Sequence, residues 1–411
     1  MDKKRSLYIS SILLLISFGI RLITDYLQTQ NFWNLDAFTE IARSILLLSA
    51  LVIFLGVFLG GSKKSATPDH PGKFSFSWCL GFSIPLFIVL GVVYYVNPHA
   101  RFTRDVYPSI TPSARSIKTE AYKNLVDEPD IVIFGSSRAF TISPSYIEKK
   151  TGYRAFNMSV EGGRTGDYAV QLNYIMKSGL VPDVLIVEVG IETFAKDYFD
   201  DELQPLSLIP NMPFNMAYMV AGELLEDIFS VQSLSDSAYV VTLSDVEKKS
   251  MTWTFKPDGM GERKSLTHDQ YLRLLASTIE GRLNSLFCTQ INYTAMKILK
   301  ETLGLAETKG VAVILYESPM HGNYLERGEK ENPEGYAYCR TLIRNAISSL
   351  TKSYPNVFFR DLSEYDTVSN LGENGFYDAV HLRPDAAELV VDALIPEMIS
   401  AMMWSREIQI K

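Results

Sequence analysis

Asp130-Ile131-Val132-Ile133-Phe134-Gly135-Ser136-Ser137-Arg138 is the stretch on which the reading of this chain turns. Four apolar residues in a row predict a short buried strand. Gly135 then allows a turn that a Cβ would crowd, which leaves two hydroxyls at the carboxyl edge of the strand. In open α/β sheets, that edge is where ligands bind.

Outward from this stretch, short apolar runs bounded by Gly, Pro, Asn or Asp recur at 154–158, 184–189, 311–316 and 357–360. Helical stretches at 166–178, 293–308, 335–353 and 385–403 lie between or after them. Alternating strands and helices predict an α/β fold, a doubly wound parallel sheet with helices on both faces. The region from 199 to about 286 breaks the rhythm with Pro205, Pro210 and Pro213 and reads as an inserted cap over the sheet's carboxyl edge. Residues 97–124 are polar and proline-bearing, without clear periodicity, and read as a stalk or linker, or a clasp over the domain, before a domain at 125–411.

Residues 1–96 have a different character. Apolar segments at 7–23, 41–59 and 78–96 each have about the 20 residues that a bilayer-spanning helix needs. No small-x-small cleavage site follows the first before Asp25, so all three are expected to be retained. Lys3, Lys4 and Arg5 precede the first segment, and Lys63, Lys64 and Lys73 lie between the second and third. The loop 24–40 carries Asp25, Asp36 and Glu40 and no Lys or Arg. By the positive-inside rule the N-terminus is cytoplasmic, and everything after residue 96 is outside. The expected location is the cell (inner) membrane, multi-pass, with the lipid bilayer as one partner.

With 411 residues, a net charge of −8 and no long basic run, the chain gives no reason to expect nucleic-acid binding. No Cys/His cluster has metal-ligand spacing, and no metal or cofactor is expected. Cys288 and Cys339 would face an outer compartment whose oxidising conditions permit a disulfide, and two separate buried thiols are the favoured reading over a bridge, since single cysteines are often simply buried.

A serine hydroxyl becomes a nucleophile only when an imidazole takes its proton and a carboxylate orients that imidazole. Asp378-Ala379-Val380-His381 supplies both groups from one short segment, and Pro384 just beyond marks a helix start. Between these pieces, Asn157 to Thr165 contains Gly162 and Gly163 directly after a strand, where an exposed backbone N–H can serve an oxyanion. The plain alternatives are helix capping by Ser136 and Ser137, a simple glycine turn, and a chance Asp-x-x-His pair. His321, after the fourth strand, lacks a spaced carboxylate and reads as loop packing or a substrate contact. Arg138 and Arg164 are candidate ligands for an anionic substrate, with structural ion pairs as the alternative for each.

In this order the pieces resemble the SGNH/GDSL hydrolase superfamily over about residues 125–403. Phe134 to Ser137 is similar to its first block, with Ser136 in place of the usual aspartate and Ser137 at the nucleophile position. Asn157 to Thr165 resembles the second block, with Gly162 at the oxyanion-hole glycine, and Asp378 with His381 matches the fifth. In the third block, Val189 to Thr193 puts Glu192 where the family has an asparagine. The resemblance implies an SGNH/flavodoxin-like three-layer fold. It implies catalysis by Ser137, His381 and Asp378, an oxyanion hole of the Ser137 and Gly162 N–H groups, and Glu192 at the substrate.

The setting after membrane helices is similar to the extracytoplasmic branch that includes the D-alanyl transfer protein and alginate-type O-acetyltransferases. The expectation is therefore a membrane-anchored acyltransferase or esterase acting on a cell-envelope polysaccharide or related polymer, with a membrane-bound O-acyltransferase as partner. The alternative is a non-catalytic component for assembly or polymer binding.

Overall fold

The protein is described by a computed structural model at residues 89–102, 107, 110, 114–195, 197–199, 204–242, 253–263 and 266–410. It divides into two compact units, the larger comprising residues 113–204, 210–216 and 250–411. Strands β1 (Ile131–Phe134), β2 (Ala155–Asn157), β3 (Val184–Val189), β4 (Trp253–Phe255), β5 (Gly261–Arg263), β6 (Ala312–Glu317) and β7 (Val357–Asp361) belong to this unit. Five of them form one parallel sheet in the order β2-β1-β3-β6-β7, and β4 and β5 pair as an antiparallel hairpin. The order is compatible with a flavodoxin-like fold.

Successive side chains on a strand point to opposite faces, and both faces here are apolar. Ile131, Ile133, Val184, Ile186, Ala312 and Ile314 pack on one side with Ile147 of α2 (Pro144–Thr151) and Val390 of α11 (Pro384–Ile410). Val132, Phe134, Leu185, Val187, Val313 and Leu315 face the other side. There they meet Leu172 of α3 (Thr165–Ser178), Leu299 of α8 (Tyr293–Thr308) and Ile343 of α10 (Pro333–Ser353). The result is the expected sandwich of helix, sheet and helix. β1 has β2 on one side and β3 on the other, so the chain crosses over in opposite directions from it. Its carboxyl end is therefore the topological switch point, where a crevice opens.

Three features differ from the sequence expectation. Within the segment read as a stalk, residues 114–123 form helix α1 (Ala114–Lys123), and its buried face is Ala114, Arg115, Lys118, Thr119 and Tyr122. This stripe has helical spacing but is mostly polar, which an apolar-periodicity reading does not register. The segment read as a cap is also divided between the units: residues 205–209 and 217–242 group with the N-terminal unit, whereas β4, β5 and α7 (His268–Arg282) belong to the sheet domain. In the N-terminal unit, α5 (Phe214–Phe229) contributes Asp227 and α6 (Val231–Thr242) contributes Asp236, which hold His99 at 3.3 and 3.0 Å.

The third difference is that Cys288 and Cys339 are joined by a disulfide, with Cα atoms 5.0 Å apart. Their sequence separation of 51 gave no sign of this, because the proximity arises only when α10 packs beside the 3-10 turn that ends at Leu286. Helix α9 (Gly322–Glu331) follows β6. The apolar segments at 7–23 and 41–59, and most of 78–96, lie outside the described residues; residues 89–96 are helical. Among the described residues no helix is long and apolar enough to cross a membrane.

Candidate active site

Ser137 stands at the carboxyl end of β1, at the start of a single 3-10 turn. Ser136 caps this turn, its hydroxyl accepting from Arg138 N at 3.3 Å. The two serines thus divide the roles that the sequence left open: Ser136 is buried in the cap, and Ser137 is the half-exposed residue of its stretch. Gly135 is required because a Cβ there would sit 2.8 Å from the Cβ atoms of both Ala139 and Glu188.

The Ser137 Oγ lies 2.8 Å from His381 Nε2. On its far side, His381 Nδ1 lies 2.8 Å from Asp378 Oδ2 and 2.9 Å from Oδ1. Asp378 Oδ1 also accepts the backbone N–H groups of Val380 and His381, each at 3.0 Å. The Asp-x-x-His spacing therefore works as a closed turn that fixes carboxylate and imidazole together. Burial alone would push the Asp378 carboxyl up, but the His381 hydrogen bond and charge and the two N–H groups overcome this and hold it at about 2. An ionised Asp378 accepting from Nδ1 leaves Nε2 as the lone-pair nitrogen that faces the serine.

Glu188 sits in β3 with its side chain 1% exposed and receives Ser136 N at 3.0 Å on Oε2. Its other oxygen pairs with the Arg138 guanidinium, so one carboxylate holds the residues on both sides of Ser137. Arg138 thus makes the ion pair that was the alternative reading for it. Burial disfavours its charge, and Glu188, Glu192 and Glu317 outweigh that, raising its pKa above the ordinary arginine value. Arg164 also has structural work. Its N–H bonds Asp167 at 3.0 Å in the capping box of α3, and its Nη1 donates to Phe199 O at 3.2 Å.

The loop carrying Gly162 is tied to the nucleophile turn by Val160 N to Gly135 O at 2.9 Å and is closed by Gly163 N to Val160 O at 3.1 Å. A Cβ on Gly163 would lie 2.2 Å from Gly135 O, so this glycine lets the two loops touch. Gly162 is exposed with φ of 55°. Asn157 fixes the same junction from below, its amide donating to Ala139 O at 2.8 Å and Ile142 O at 2.9 Å.

Glu192 lies in the short helix α4 (Ile191–Ala195), and its carboxylate is 3.9 Å from Arg282 Nη1 at the end of α7. Together with Arg138, Ile191, Ser285 and Val380 they line a cleft. The acidic group at the third-block position thus faces a guanidinium. His321 is a packing residue, as one of its two readings held. Its Nδ1 caps α9 through Asn323 N at 3.2 Å, its Nε2 meets Tyr271 Oη at 3.2 Å, and burial lowers its pKa.

Four contributors escaped the sequence reading. Glu188 could have been found as the lone acid in the buried run Val184-Leu185-Ile186-Val187-Glu188-Val189. Lys118 of α1 is fully buried, its Nζ 3.2 Å from Asn157 Oδ1 and 3.3 Å from Ser159 Oγ, over the rings of Phe140 and Phe255. Trp253 of β4 lies with its ring 5.9 Å from that of His381, and Arg263 of β5 reaches Asp378. No local motif marks these last three, because their positions depend on long-range packing.

Among the described residues no group of three or more His, Cys, Asp or Glu side chains could hold a metal ion. No curated protein matches the chain. Residues 115–218, which run from α1 through β1, the Gly162 loop and β3 into α5, match a family described as "Protein of unknown function (DUF1574)".

Proposed function

We propose that this protein is a membrane-anchored, extracytoplasmic SGNH-like acyltransferase or esterase that acts on ester-linked acyl groups of a cell-envelope polysaccharide or related polymer. The observation that carries the reading is the continuous line from Ser137 Oγ through His381 to Asp378, with 2.8 Å at each step. In this reading His381 Nε2 takes the Ser137 proton as Oγ attacks the ester carbonyl. The N–H groups of Ser137 and Gly162 receive the oxyanion. Collapse expels the alcohol, which takes the proton from His381 and leaves the acyl group on Ser137. An acceptor hydroxyl, or water, then gives His381 its proton and attacks the acyl-enzyme, which restores the free serine and releases the new ester or acid.

The Cys288–Cys339 bridge supports an extracytoplasmic site, since disulfides persist in oxidising compartments. The Lys/Arg bias around the apolar N-terminal segments points the same way. Transfer in preference to hydrolysis is favoured by Glu192 at the position of an amide donor, which weakens the oxyanion hole for simple esters. A membrane-bound O-acyltransferase would supply the acyl group, and a held acceptor recovers part of the barrier through positioning. The same residue favours the second reading, a non-catalytic polymer-binding component. Cells carrying Ser137→Ala should lose an acyl modification from an envelope polymer. Unchanged acylation in that strain would overturn the transferase reading.

A further inference from the structure

The β4–β5 hairpin is bound to the serine loop and not merely near it. Gly261 N donates to Phe140 O at 2.7 Å, Asn157 N donates to Asp258 O at 2.9 Å, and Trp253 and Phe255 pack edge-on against Phe140 at 5.2 and 5.1 Å. Trp253 and Arg263 are directly opposed across the hairpin, so their side chains lie on one face. That face is turned to the His381–Asp378 pair: Trp253 lies by His381, and Arg263 Nη1 is 3.4 Å from Asp378 Oδ2. Oδ2 is also the oxygen nearest His381 Nδ1. The guanidinium is 14% exposed and sits 5.9 Å from the centroids of both Trp253 and Tyr377, and Tyr377 Oη donates to its backbone carbonyl at 3.4 Å.

We infer that Arg263 is a positioning residue of the triad, delivered by the inserted hairpin, which holds the Asp378 carboxylate and offsets part of the charge that His381 feels from it. This rests on the triad reading above.

The charged and titratable groups around the pair are few. The hairpin brings Arg263 and Glu262, and Glu262 is engaged by Lys256 at 2.6 Å. The pair's own segment brings Tyr377, Arg383 and Asp385, and α7 brings Tyr271; Arg383 lies over the rings of Tyr271 and Tyr377. Among the described residues, Arg263 is the cation in contact with the carboxylate. A carboxylate stabilises the imidazolium beside it, and a guanidinium on the same carboxylate reduces that effect. Arg263 thus tempers the pull of the Asp378 carboxylate on the His381 ring. The hairpin thereby links the assembly of the inserted segment to the competence of the base.

The test is the rate at which a fluorophosphonate labels Ser137 in the full-length protein, measured against pH for the wild type, Arg263→Gln and Arg263→Lys. Such a probe reads the serine and its base without knowledge of the natural substrate. Arg263→Gln should move the acid limb of the profile upward by about one pH unit, the size of effect that one nearby charge commonly has. Arg263→Lys should return the limb close to the wild-type position. A purely structural role would lower the rate alike at every pH. A Gln variant whose acid limb coincides with that of the wild type overturns the inference. Should Arg263→Gln not fold, a folded Arg263→Lys whose limb has moved upward despite the retained charge overturns it equally. A wild-type protein that takes no label at any pH would instead strike at the triad itself, so the two failures are distinguishable.

Discussion

Replacing Lys118 by methionine should stabilise the protein at neutral pH and remove part of its pH dependence. The ammonium is fully buried; burial lowers its pKa, Glu161 and Asp258 oppose that, and the balance lies at about 7 against an ordinary 10.5. Below that balance both the folded and unfolded chains hold the proton, so the cost of burying the charge is constant, about 5 kcal/mol by linkage. From pH 7 to 10.5 the unfolded chain keeps a proton that the folded one releases, and stability rises by about 1.4 kcal/mol per pH unit from this group. Methionine has a similar length and keeps the contact with the Phe140 and Phe255 rings.

The change leaves no orphan, because Asn157 Oδ1 still accepts Ser159 N at 3.0 Å and the Ser159 hydroxyl. With about 1 kcal/mol lost for each amine hydrogen bond, a net gain of about 3 kcal/mol is expected at or below about pH 7. The gain should shrink as pH rises to about 9. Urea unfolding of full-length protein in detergent, followed by tryptophan fluorescence at several pH values, measures the difference directly. A variant less stable than wild type at neutral pH, or a stability difference that does not change with pH, would refute this account of Lys118.

Two further outcomes follow from the same packing. Glu188→Leu removes the carboxylate in contact with the buried Arg138 and should cost about 3–5 kcal/mol, whereas adding Arg138→Met should recover most of it, as denaturant midpoints of the three variants would report. Glu192→Asn places an amide where the carboxylate now faces Arg282 and should raise p-nitrophenyl acetate turnover, by up to about 10²-fold for a full oxyanion donor. An unchanged or slower rate in the asparagine variant would show that Glu192 does not weaken the oxyanion hole.

The parallel sheet was legible because its strands are buried on both faces, so each appears as a continuous apolar run: 131–134 and 184–189 match the structure residue for residue. The core of the site was legible for a related reason. Ser137, Asp378 and His381 each follow a local constraint, a glycine turn or a three-residue spacing, that survives in one dimension. Other contributors have no such local mark. α1 docks through Arg115 to Asp167 at 2.8 Å and through Lys118, a polar face that reads as a linker. Arg263 reaches Asp378 across 115 residues of chain, and the Cys288–Cys339 bridge spans 51, so both depend on the tertiary fold alone.

The central claim is that Ser137 is a nucleophile activated by His381 and Asp378, and site-resolved mass spectrometry of the full-length protein after fluorophosphonate treatment tests it most directly. The account predicts a single phosphonyl adduct on Ser137, retained in Ser136→Ala and lost in Ser137→Ala. In His381→Ala, adduct formation should slow by several orders of magnitude, with little further loss when Asp378→Ala is added. Labelling that persists in Ser137→Ala, or a Ser137 adduct that forms as fast without His381 as with it, would contradict the account.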